Sequence, residues 1–200
     1  MPERLIIMNP AALQRTLSRM AHEIAEKNDA SNDIIVVGVQ RGGVHLASRL
    51  ATQLEQICGH PVPYGTLDVN FYRDDLDTNH SPNVQPTQIP ADITGKVVVL
   101  VDDVLFSGRT TRAAMDALKD LGRPRRIQLA VLVDRGHREL PIKADFVGKS
   151  IGIRQTMLEA QACAKQRNRK PVRLVYAARA RPPERPCPPG HGRFACAAPS

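Results

Sequence analysis

No apolar run in this sequence approaches the roughly 18 residues that a membrane-spanning helix needs, which excludes a helical membrane protein. The start, Met1-Pro2-Glu3-Arg4, has no apolar signal segment with a small-residue cleavage site, so a cytoplasmic chain is expected. Cysteine is scarce: four in 200 residues, without a secretory signal, read as reduced thiols rather than a disulfide framework. Cys163, Cys187, His191 and Cys196 have the spacing of no standard zinc finger. Wholesale disorder is excluded in turn, because 42% hydrophobic and 24% charged residues is a globular composition.

A charge surplus is also missing from most of the chain. Residues 1–150 hold 18 Lys and Arg against 18 Asp and Glu, whereas residues 151–200 hold 10 against 2 and carry the whole net charge of +8. The basic balance therefore describes a tail, and an inference to nucleic acid applies to that tail first.

What is present is an alternation of helical and strand patterns. Leu13, Leu17, Met20, Ala21 and Ile24 form one stripe of an amphipathic helix over 9–28. Ile-Ile-Val-Val-Gly-Val at 34–39 is a strand buried on both faces, followed by a helix over 44–57 that Gly59 caps. A strand is expected at 65–72, then a polar lid-like loop over 78–92 with Pro82, Pro86 and Pro90. The run at 97–101 is the strongest buried-strand signal. A helix over 109–121, stopped by Gly122 and Pro124, and a strand at 127–133 follow. Repeated strand–helix–strand units predict an α/β fold with a central, mostly parallel sheet flanked by helices. In such a sheet ligands bind at the carboxyl ends of the strands, where strand order switches.

That rule directs attention to Asp102-Asp103-Val104-Leu105-Phe106-Ser107-Gly108-Arg109-Thr110-Thr111, which follows the strongest strand. Adjacent carboxylates there can accept hydrogen bonds from vicinal sugar hydroxyls or bind a hard cation through water. The small, hydroxyl-rich loop entering a helix offers a phosphate its backbone N–H groups and the positive dipole end. A nucleotide-triphosphate loop is not found: Gly148-Lys149-Ser150 has Lys143 where the first glycine belongs, and the 38–43 region lacks the dinucleotide glycine pattern. A purely structural turn is the bland alternative, since acids cap helices.

The segment 98–110, Val-Val-Leu-Val-Asp-Asp-Val-Leu-Phe-Ser-Gly-Arg-Thr, resembles the phosphoribosyl pyrophosphate signature of type I phosphoribosyltransferases. More narrowly, 68–76 (Asp-Val-Asn-Phe-Tyr-Arg-Asp-Asp-Leu) and 128–148 resemble the bifunctional pyrimidine operon regulator/uracil phosphoribosyltransferase family. The likeness covers about residues 4–151. It implies a type I phosphoribosyltransferase domain over 1–151 and an irregular, Pro- and Arg-rich basic tail over 152–200. It implies that Asp102 and Asp103 hold the ribose hydroxyls, that Val104, Leu105 and Phe106 are part of the substrate-binding segment, and that Ser107, Gly108, Arg109, Thr110 and Thr111 cradle the 5′-phosphate. Gln40-Arg41-Gly42 matches the pyrophosphate loop, though the family often has Thr at position 40; Arg73 closes over pyrophosphate and Arg135 helps form the uracil pocket. Arg41, Arg73, Asp102 and Asp103 are the expected catalytic set. Magnesium is the implied cofactor, carried by substrate, with Asp102 or Asp103 the nearest protein contact and no dedicated metal ligands.

The resemblance further implies phosphoribosyl pyrophosphate, uracil and UMP as ligands, a homodimer or larger homo-oligomer, and binding of a pyrimidine-operon messenger leader. Its RNA candidates are Ser18, Arg19, His22 and Lys27 on the first helix, with His137 and Arg138 later. A solvated helix face or an oligomer contact explains the same residues. A regulator with little catalysis is the alternative to the enzyme. In the tail, a helix at 155–166, a strand at 171–177 and a disordered end over 179–200 are expected.

Overall fold

The computed structural model describes residues 8–31, 33–73 and 85–151. Helix α1, Pro10–Lys27, begins where Asn9 accepts a hydrogen bond from the Ala12 N–H at 2.7 Å and Pro10 takes the first helical position, which needs no donor. It ends where the Asn28 N–H turns back to the last carbonyls. Strand β1, Ile34–Val39, is buried at every position. Helix α2, Gly42–Cys58, ends at Gly59, whose φ of 74° needs no side chain in the way.

Strand β2 is only Tyr64–Leu67. The strand expected at 65–72 stops there because the Asp68 carboxylate accepts hydrogen bonds from both the backbone N–H and the side-chain amide of Asn70. The chain consequently turns into a single 3-10 turn, Asn70–Tyr72. Strand β3, Val97–Leu105, runs four residues past its expected end and carries the acid pair within it. Helix α3, Arg109–Leu121, and strand β4, Arg126–Asp134, follow. Strand β5, Phe146–Ser150, was not foreseen. Part of the expected 78–92 loop and the tail elements at 155–166, 171–177 and 179–200 lie outside the described residues, as do Cys163, Cys187, His191 and Cys196.

The five strands form one parallel sheet in the order β2-β1-β3-β4-β5. Alternate residues supply its two faces. Val36, Val99, Val101 and Leu132 pack with α1 and α2 through Leu17, Ile24, Leu46 and Leu50. Ile35, Val37, Leu100 and Val131 pack with α3 through Ala114 and Leu118. From β1 the chain goes outward to β2, and from β3 it goes the other way to β4. The switch in strand order therefore falls between β1 and β3, with a crevice beyond their carboxyl ends. Among the described residues no helix is long and apolar enough to cross a membrane.

Candidate active site at the strand-order switch

Two segments meet at the switch point. The first is the turn after β1. Gln40 donates its N–H to the Leu67 carbonyl, the Gln40–Arg41 peptide is cis, and α2 begins at Gly42. A Cβ at Gly42 would overlap the Asp103 carboxylate, and one at Gly43 would overlap the Val101 carbonyl. Glycine is what lets the start of α2 close onto the acid pair. Arg41 is exposed just ahead of the helix.

The second segment is the end of β3. Asp102 is 8% exposed and accepts the Asp103 N–H at 2.8 Å. Burial pushes its carboxyl well above the usual carboxylate range, and the neighbouring Asp103 charge pushes it further. The hydrogen bond from the Asp103 N–H and the positive charge of Arg73 pull the other way. Arg73 thus reaches the site electrostatically from the far side of the 3-10 turn. Asp103 is half-buried beside the positive end of α2.

Beyond the acids the expected cradle divides. Gly108, with φ of 94°, precedes α3, whose first turn contains Arg109, Thr110 and Thr111 and no acid. The first-turn backbone N–H groups of such a helix start suit an anion. Thr111 is buried and Ser107 half-buried, with the Ser107 hydroxyl toward the Arg109 N–H at 3.4 Å. The Leu105 side chain is buried in the core on the α3 face, and its carbonyl accepts the Arg135 N–H. Val104 is half-buried against the opposite core. The Phe106 ring is 44% exposed and lies under the Arg135 guanidinium at 5.0 Å, with His137 6.2 Å away. Arg109 reaches outward to Glu139 at 2.8 Å.

The six RNA candidates fall into two groups, and most are already engaged. Arg19 pairs with Glu23 at 2.6 Å and donates to the β5 carbonyls of Val147 and Gly148. Lys27 pairs with Asp145 at 2.6 Å above the Phe146 ring. His22 lies with a ring nitrogen on the Ser18 carbonyl. These four line α1 beside β5. His137 and Arg138 follow β4, and Arg138 is bound on several sides. The sequence did not expose this engagement, because the partners are main-chain carbonyls or acids up to 129 residues away.

The acid pair offers hard oxygen donors, the kind magnesium takes. Among the described residues no three His, Cys, Asp or Glu side chains come together, so a cation here would share its shell with substrate oxygens. The residues fit that arrangement.

An acid pair, a glycine-tight turn and a helix start thus meet around the switch point of a parallel sheet, the place where such sheets bind ligands. The phosphoribosyl transferase domain family matches residues 8–160. The chain is 55% identical over 154 residues to the bifunctional protein PyrR of Bacillus pumilus, covering 76% of this chain and 86% of that protein. It is 54% identical to the PyrR of Bacillus subtilis over 154 residues (76% and 85%) and to that of Pelotomaculum thermopropionicum over 150 residues (74% and 83%). The chain therefore belongs to the phosphoribosyltransferase family and, within it, to the bifunctional PyrR proteins. Among solved structures, a hypoxanthine-guanine phosphoribosyltransferase of Bacillus anthracis shares the fold at 22% identity and a TM-score of 0.61, over 76% of this chain and 87% of that one. A hypoxanthine phosphoribosyltransferase of Trypanosoma cruzi does so at 19% and 0.59, over 76% and 83%.

Proposed function

We propose that this protein converts uracil and phosphoribosyl pyrophosphate to UMP and pyrophosphate in the cytoplasm, and that it also binds a pyrimidine-operon messenger leader in response to UMP. The observation that carries the enzymatic reading is the meeting of Asp102-Asp103 with the glycine start of α2 at the β1–β3 switch. In this reading Asp102 and Asp103 accept the ribose hydroxyls, and the start of α3 from Ser107 to Thr111 holds the 5′-phosphate.

The bond from the anomeric carbon to pyrophosphate breaks as the bond to the uracil nitrogen forms, and the uracil N–H proton passes to solvent. Positive charge grows on the sugar and negative charge on the leaving group. Arg41 and Arg73 offset the latter, and the Asp102-Asp103 pair, Asp102 buried and Asp103 half-buried, fixes the sugar. Magnesium, held by substrate oxygens with Asp102 or Asp103, supplies further charge neutralisation when bound. Arg135, held against Phe106, borders the uracil pocket, and Gln40 belongs with Arg41 and Gly42 to the pyrophosphate loop. Domain limits of 1–151 and 152–200 and assembly as a homodimer or larger oligomer belong to the same proposal.

For RNA, the partly exposed face of Ser18, Arg19, His22 and Lys27 is the proposed contact, together with His137. The test is uracil-dependent pyrophosphate release by the full chain, with magnesium and phosphoribosyl pyrophosphate each supplied or withheld. Turnover that needs all three supports the enzyme. Absent turnover with intact UMP binding turns the reading to a regulator.

A further inference from the structure

Arg138 is bound on every side of its guanidinium. Its Nε donates to the Ile142 carbonyl at 2.9 Å, and its Nη1 to the carbonyls of Phe106 at 2.9 Å and Gly136 at 3.1 Å. Its Nη2 meets the Asp134 carboxylate at 2.6 Å, with both side chains about four-fifths buried. Four of the five guanidinium donors are thus committed. The partners come from three segments: the end of β4, the loop after it, and the main chain where β3 passes into the start of α3.

The same loop is fastened to that main chain elsewhere. Glu139 and Leu140 donate their N–H groups to the Ser107 carbonyl, and Arg135 donates to the Leu105 carbonyl. The Glu139 carboxylate holds Arg109, and a Cβ at Gly108 would press against Ile142 and Leu140 at 3.3–3.4 Å. The carbonyls of 105, 106 and 107 are consequently all engaged by the loop of 135–142.

We propose that Arg138 is a positioning residue for the nucleotide site: by holding the Phe106 carbonyl to Asp134 and Ile142, it fixes the path of 105–108 and so the geometry of the phosphate cradle. This rests on the reading of 107–111 as that cradle.

The experiment compares full-length wild type, Arg138→Ala, Arg138→Lys and Asp134→Asn, with thermal melting as the check of folding. Displacement of the cradle predicts that Arg138→Ala raises the Kd for UMP and the KM for phosphoribosyl pyrophosphate by about tenfold or more, with kcat at saturation changing far less. Arg138→Lys recovers part of the loss, and added guanidinium ion at non-denaturing concentration restores binding to Arg138→Ala. If Arg138→Ala does not fold, Arg138→Lys and Asp134→Asn show the same change in smaller measure. A folded variant with unchanged UMP affinity and KM overturns the proposal, as does loss of RNA affinity alone. Calorimetric UMP binding separates this from the enzymatic reading: wild type that binds UMP without turnover overturns only the latter, and wild type that binds none overturns both.

Discussion

Burial holds the Asp102 carboxyl well above the usual carboxylate range, and the Asp103 charge adds to the effect. The native state therefore keeps this proton to a higher pH than the unfolded chain does. Stability from this group is complete below the ordinary carboxylate pKa of about 3.9 and is lost as pH rises toward the native value. Asn cannot ionise, so Asp102→Asn is expected to melt above wild type at pH 7, with the gap closing toward pH 4. The same change should lower turnover by about a hundredfold or more, because a sugar-binding carboxylate is gone. Melting curves across pH and a pyrophosphate assay check both; a variant less stable than wild type at neutral pH would refute the first. The acid pair was legible in the sequence because chemistry and strand position coincided there. The bonding of Arg138 was not. Its partners include the Phe106 carbonyl 32 residues away, and a main-chain acceptor leaves no mark on residue identity.

Among the elements, those whose pattern came from burial were readable to within a few residues. β1 and β4 are runs of β-branched and aliphatic residues because helices cover both faces of the sheet, and α3 begins and ends where its glycines stand. β5 has one large buried side chain, Phe146, followed by Val-Gly-Lys-Ser at an edge, so neither alternation nor an apolar run announced it. The segment 65–72 had strand composition, and the Asp68 side chain overrode it by capturing Asn70. At the start of α1, Asn9→Ala removes the acceptor of the Ala12 N–H and should cost about 1 kcal/mol, read as a lower midpoint in urea with unchanged slope. Gly42→Ala places a methyl group on the Asp103 carboxylate, so it should impair phosphoribosyl pyrophosphate binding even where the fold survives; calorimetry would register it.

At the scale of the molecule, two aliphatic cores sandwich one sheet. Leu50 is fully buried in the core shared with α1 and α2, so Leu50→Ala should cost about 2–5 kcal/mol in chemical denaturation. Residues 1–150 are neutral, so a chain ending at 151 should show weaker and less salt-dependent affinity for unstructured RNA, measured by filter binding across salt concentrations. An equal salt slope with and without the tail would place the RNA contact elsewhere.

The crevice between β1 and β3 has one more consequence. The turn of 40–42 and Arg73 precede Gln85 in the chain, whereas the acid pair, the start of α3 and Arg138 all follow it. Neither stretch holds a complete site. A chain interrupted between Arg73 and Gln85 would leave the leaving-group end of the substrate to one fragment and the sugar-phosphate end to the other. Turnover in a mixture of the two would report their reunion, with β1 and β3 rejoined along the register from Ile34 opposite Val97 to Gly38 opposite Val101.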